Sequence, residues 1–96
     1  MEYVEQNNII AIGASLGAIM ATGISSYSEV QAAVALSSYY DSVLETFGDV
    51  DIQNVFYIAS EFDHPEGSEM LFDITGGVKK IKIISRSDAH GLRLLE

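Results

Sequence analysis
The sequence predicts an α/β fold, a parallel four-stranded sheet with helical crossovers, and three observations carry that expectation. Short apolar runs of strand length recur at residues 9–12, 30–36, 54–59 and 79–85. The segments between them carry helix start and stop residues. The chain has 96 residues, 48% of them hydrophobic, which suits one core and leaves no room for two. Strands alternating with helices imply βαβ units, parallel pairing and right-handed connections.

Taken in order, residues 1–8 read as the end of a helix, with Asn7 and Asn8 as terminators because Asn tolerates the left-handed conformation. The run Ile9-Ile10-Ala11-Ile12, bounded by Gly13, reads as a buried strand. Residues 16–24 are apolar or small on every side, as in a fully buried helix, and Ala18, Ala21 and Gly23 would let it lie close to a sheet. Residues 30–36 (VQAAVAL) are apolar enough for a strand covered on both faces. A short helix over 42–47 closes at Gly48, and 54–59 (NVFYIA) is a strand rich in aromatic and β-branched residues. Pro65 and Glu66 open a helix that runs to about Thr75 and stops at Gly76-Gly77. Lys79, Lys80 and Lys82 in the fourth strand (KKIKIIS) mark a guarded sheet edge, and residues 91–96 begin a last helix. No repeat, low-complexity segment or linker interrupts this series, so residues 1–96 form a single domain.

Fourteen acidic against 5 basic side chains give a net charge of −9. Such a balance argues against nucleic acid and anionic membranes as partners, since both require clustered Lys and Arg. Cysteine is absent, which removes disulfides, thiolate metal sites and a cysteine nucleophile. Residues 9–27 are uncharged except for their flanks and include Gly13 and Gly17 in a GxxxG spacing, which in lipid would be a helix-packing face. The flank carries Glu2 and Glu5 instead of Lys or Arg, and the apolar character fades into Ser25, Ser26 and Ser28. A soluble buried segment and a cytoplasmic location are therefore expected.

The chemistry-bearing pattern is Gly13-Ala14-Ser15-Leu16-Gly17, a G-x-S-x-G between an expected strand and an expected helix. A sharp strand-to-helix turn holds the serine in a strained conformation, so its flanking positions must be nearly free of side chain. The Ser15 hydroxyl would then project from the C-terminal edge of the sheet, with the Leu16 N–H where an oxyanion would form. A serine nucleophile needs a base, and the base needs an orienting acid. Asp63 lies just past the third strand and His90 just past the fourth. In a parallel sheet all strand C-termini share one edge, so Ser15, Asp63 and His90 would gather there.

On these residues the resemblance becomes specific. Over residues 2–96 the chain resembles the C-terminal half of an α/β-hydrolase, nearest to the dienelactone-hydrolase-like esterases and small peptidase-like members. IIAIGASLGA matches the nucleophile strand and elbow, VFYIASEFDHPE the acid strand and loop, and IKIISRSDAHG the histidine loop. The resemblance implies Ser15 as nucleophile, His90 as base, Asp63 as acid, Leu16 N–H as one oxyanion donor and Gly13 and Gly17 as the elbow glycines. It further implies a small-molecule ester or related acyl substrate and no cofactor or metal. The family's sheet has about eight strands, and this chain offers the last four. The early strands, the loop donating the second oxyanion N–H and a lid are not among its segments, and losing one such donor costs about 10²–10³ in kcat.

Each residue also has a plainer role open to it. Ser15 could be an ordinary turn residue, Asp63 could cap the helix at Pro65, and His90 could be a loop histidine. Asp41, after the second strand, is a rival acid, and His64 a weaker candidate base. Asp63, His64, Glu66, Asp88 and His90 lack the H-x-x-x-H or H-E-x-x-H spacing of a metal site. Tyr39 and Tyr40 could line a substrate pocket or pack on the sheet edge. The first strand would present an unpaired edge and the sheet one bare face, so a homodimer or a complementing half is expected. Two functions stand against each other: the catalytic half of a serine hydrolase, and an inactive remnant serving as a dimerisation or protein-interaction module.

Overall fold
Each apolar run becomes a strand, and each intervening segment a helix. The computed structural model describes residues 9–95, and the helix expected over residues 1–8 lies outside the described residues. The order is β1 (Ile9–Ala14), α1 (Leu16–Ile24), β2 (Val30–Leu36), α2 (Tyr40–Phe47), β3 (Val55–Ser60), α3 (Glu66–Ile74), β4 (Lys80–Ile84) and a 3₁₀ turn, Gly91–Leu95. The four strands are parallel and lie in chain order, β1-β2-β3-β4.

Sequential order has a geometric consequence. Three connections of one hand, all stepping the same way, put their helices on the same face. Accordingly α1 packs on α2, and α2 on α3. The register separates the two faces of the sheet. Gly13, Ala35, Tyr57 and Ile81 stand in one row, and there Ala35 and Tyr57 are fully buried beneath the helices. Around them Ala33, Val43, Ile52, Val55 and Leu71 complete the core. Burying each of the larger side chains contributes about 1.5–3 kcal/mol. Tyr57 also brings a polar tip inside: Thr75 Oγ1 donates to Leu71 O (2.6 Å) and accepts the Tyr57 hydroxyl (2.7 Å).

The neighbouring row, Ile12, Val34, Phe56 and Lys80, faces away from the helices. Ile12 is 70% and Ile10 59% exposed, so cover on both faces does not occur, and β2 alternates instead of being buried throughout. Only its last residue, Leu36, is buried on that side as well, where the 3₁₀ turn meets β2 and β3. The helix α1 is likewise not fully buried. Ala18, Ile19, Ala21, Thr22 and Gly23 are inside, while Leu16 and Met20 face out because the helix meets the sheet with one side only.

Several boundaries move for local reasons. Helix α2 starts at Tyr40, two residues before the expected Ser42, because Tyr39 is extended and Val43 N–H already reaches Tyr39 O. Pro65 is the N-cap of α3 rather than its first residue, and Gly48, at φ 74°, closes α2 as expected. The last segment forms a 3₁₀ turn instead of the start of an α-helix. Lys79 is no free edge charge: its Nζ donates to Phe72 O (2.8 Å) and lies 4.5 Å from the Phe72 ring centre. Among the described residues β1 has a strand neighbour on one side only, and no helix is long and apolar enough to cross a membrane.

Candidate active site
The site grows from the end of β1. Its last residues run straight into α1 through Ser15, whose backbone sits at φ 56°, ψ −116°. A non-glycine residue held at positive φ is strained by about 1–3 kcal/mol and persists only where its surroundings impose it. The imposing contacts are visible: Ser15 N–H donates to Leu36 O (2.9 Å), while Ser15 O accepts Ala18 N–H (2.9 Å) and Ile19 N–H (3.2 Å). Gly13 must be glycine, because a Cβ there would run into the backbone of Gly17 and Ala18. At Gly17 a Cβ would meet nothing, so the expected need for a bare position holds on the strand side of the elbow and not on the helix side. Among the described residues the Leu16 and Gly17 amides have no acceptor, as befits the first turn of a helix.

Ser15, Asp63 and His90 are brought together. Ser15 Oγ lies 2.7 Å from His90 Nε2, and His90 Nδ1 lies 2.7 Å from Asp63 Oδ2. An ionised carboxylate can only accept, so Nδ1 carries the proton and donates to Asp63. Nε2 is then left with its lone pair and accepts the Ser15 hydroxyl. The Asp63 side chain is 16% exposed and the imidazole 40%. The carboxylate makes no cap to α3, whose N-cap has no side-chain hydrogen bond, so the capping role open to Asp63 is not the one it takes.

Parallel topology alone does not deliver His90 to Ser15, because β1 and β4 are opposite edges of the sheet. With strands about 4.8 Å apart, three steps separate them by about 14 Å. The loop after β4 runs back across the sheet edge, and two serines fasten it on the way. At the end of β3, Ser60 Oγ donates to Ala89 O (2.6 Å). Just past β2, Ser37 Oγ accepts Gly91 N–H (3.0 Å) and donates to Asp63 Oδ2 (3.3 Å). Ser37 is buried and also sits at positive φ, 65°. Gly91, at φ 61°, lets the chain turn against Ala14 and Ser15, whose Cβ atoms would each be 3.6 Å from a Cβ added there.

Tyr39 is the second residue whose role sequence spacing leaves open. Its ring stacks on His90 at 12° with centroids 6.0 Å apart, and its hydroxyl lies 3.1 Å from His90 Nδ1. Burial, then the nearby Asp63 charge, push the phenol up from its usual 10.0, so it stays protonated. Tyr40 packs against the core from α2.

The rivals stand elsewhere. Asp41 is exposed in the first turn of α2. His64, 80% exposed, faces Glu66 at 3.7 Å. Among the described residues no three His, Asp or Glu side chains are grouped to hold a metal. An apolar groove of about 390 Å³ lies at the other end of the strands, against Gln31, Asn54, Phe56 and Val78, too far along the sheet to serve Ser15. No family model, curated protein or solved structure matches the chain.

Proposed function
We propose that this chain is the catalytic half of a serine hydrolase of the α/β-hydrolase type, acting on esters or related acyl compounds. The observation that carries the reading is the unbroken relay of two 2.7 Å hydrogen bonds, Ser15 to His90 to Asp63, starting from a serine at positive φ. Ser15 Oγ attacks the acyl carbonyl as His90 Nε2 takes its proton, and the carbonyl π pair moves to oxygen. Leu16 N–H, at the positive end of α1, stabilises that oxyanion. Collapse expels the alcohol, which takes the proton from His90 and leaves an acyl-serine. Water, deprotonated by the same nitrogen, then releases the acid and restores Ser15. Throughout, Asp63 holds the imidazole and balances its charge.

One elbow amide is half of an oxyanion hole, so full activity needs a second donor. We assign that donor, and cover for the apolar row of Ile10, Ile12 and Phe56, to polypeptide outside these 96 residues, on the same chain or another. A fluorophosphonate probe, which phosphonylates activated serines, tests the reading on the chain alone and on its assembled form. Modification at Ser15 that disappears in Ser15→Ala supports it, and no modification of either sample refutes it. The exposed Ile10 and Ile12 favour one other reading, an inactive module that works by association. A monomer at micromolar concentration in light scattering would sink that reading.

A further inference from the structure
We propose that Tyr39 is a positioning residue for the relay: its ring lies against the His90 imidazole, and its hydroxyl stands beside Nδ1 as a second acceptor for the proton held toward Asp63, so that Nε2 stays unprotonated toward Ser15. The functional consequence rests on the hydrolase reading, while the geometry stands without it. A neutral imidazole has one proton, and the short contact to a carboxylate commits it to Nδ1 and Asp63. The Tyr39 hydroxyl, 3.1 Å from the same nitrogen, therefore cannot donate to it. Its oxygen instead offers that N–H a second acceptor, while Ser37 Oγ donates to Asp63 Oδ2 (3.3 Å). The Nδ1 proton thus faces two oxygens, and Asp63 Oδ2 receives one imidazole N–H and one hydroxyl. Such a carboxylate is fixed as an acceptor, and rotation of the imidazole would break its best bond.

The ring is held from behind. A Cβ added at Gly67 would lie 3.1 Å from Tyr39 Cα and 3.3 Å from its Cδ1, so the first turn of α3 presses directly on Tyr39 and leaves it no retreat. Tyr39 in turn lies nearly parallel to the imidazole, 12° between the two planes. The groups facing His90 are Asp63 from the β3–α3 loop, Tyr39 from the β2–α2 loop and Ser15 from the elbow. Asp88 precedes it on its own loop, and Arg93 follows it, with its N–H on His90 O (3.3 Å).

Tyr39→Phe keeps the ring and removes only the hydroxyl, and Tyr39→Leu removes both. The first readout is ¹⁵N NMR of the His90 imidazole in the full chain, which distinguishes the two tautomers without any substrate. The second is the rate of fluorophosphonate labelling at Ser15. In Tyr39→Phe the Nδ1–H tautomer loses population, because one of the two acceptors of that proton is gone, and labelling slows severalfold. In Tyr39→Leu the imidazole resonances also broaden as the ring loses its seat. A Tyr39→Phe protein with wild-type tautomer populations overturns the proposal. If wild-type Ser15 fails to react at all, the hydrolase reading falls, and the NMR comparison still decides the role of Tyr39.

Discussion

Asp63→Asn separates a charge that stabilises the imidazolium from a group that merely orients the ring. The wild-type pair is short, 2.7 Å between Nδ1 and Oδ2, with the carboxylate 16% and the histidine 40% exposed. Charges centred about 4 Å apart at an effective dielectric constant of about 20 attract by about 4 kcal/mol. Solvent around the half-open histidine screens that to about 2–3 kcal/mol. At about 1.4 kcal/mol per decade, Ser15 should react with a fluorophosphonate roughly 10²-fold more slowly. A larger loss, about 10⁴-fold, is known where the amide inverts the histidine tautomer. Inversion is resisted here, because Ser37 Oγ donates to Oδ2 and favours an oxygen at that position of the new amide. The assay is the second-order labelling rate at Ser15 by mass spectrometry, with circular dichroism to verify the fold. A rate within about threefold of wild type, in a folded protein, would refute Asp63 as the electrostatic partner.

Gly13→Ala, whose methyl meets backbone in the first turn of α1, should cost about 1–3 kcal/mol in denaturant melts and abolish labelling, whereas Gly17→Ala should leave both unchanged. His64→Ala and Asp41→Asn should each label within about twofold of wild type, since neither residue touches the relay. Burial raises the Tyr57 phenol from 10.0 to about 12, which favours its neutral form in the fold. The associated stability is complete below pH 10 and is lost as the pH climbs toward 12, about 2–3 kcal/mol in all. Tyr57→Phe should flatten that alkaline decline in urea melts, while costing about 1 kcal/mol at neutral pH through the lost bond to Thr75.

The elements that repeat a pattern were readable from sequence, and those fixed by a tertiary neighbour were not. Four apolar runs and the glycines among them sufficed for four parallel strands with helices between them, because strands alternating with helices leave little choice. Ser15, Asp63 and His90 were recognisable because each follows a strand in a parallel sheet. Ser37 was not, since a serine after a strand looks like any loop residue and nothing in its neighbours announces φ 65°. Its double bond to Gly91 and Asp63 exists only once the histidine loop has crossed the sheet. Tyr39 could be suspected but not assigned, because stacking on a residue 51 positions away leaves no trace in local spacing. The full burial expected of residues 16–24 failed for a related reason: composition reports how apolar a helix is, while one packed face is all that a helix lying on a sheet requires.

The loop that carries His90 back over the sheet edge also makes the site a sensor of completeness in folding. Every strand pairs with the next one in the chain, so the sheet can grow unit by unit from local contacts. The Ser15–His90 hydrogen bond instead joins residues 75 apart and requires the end of every strand to be in place. A contact of such sequence separation closes late in folding. Reactivity at Ser15 would then rise only when the described chain is wholly assembled, and a partly folded chain, however helical, would carry an inert serine.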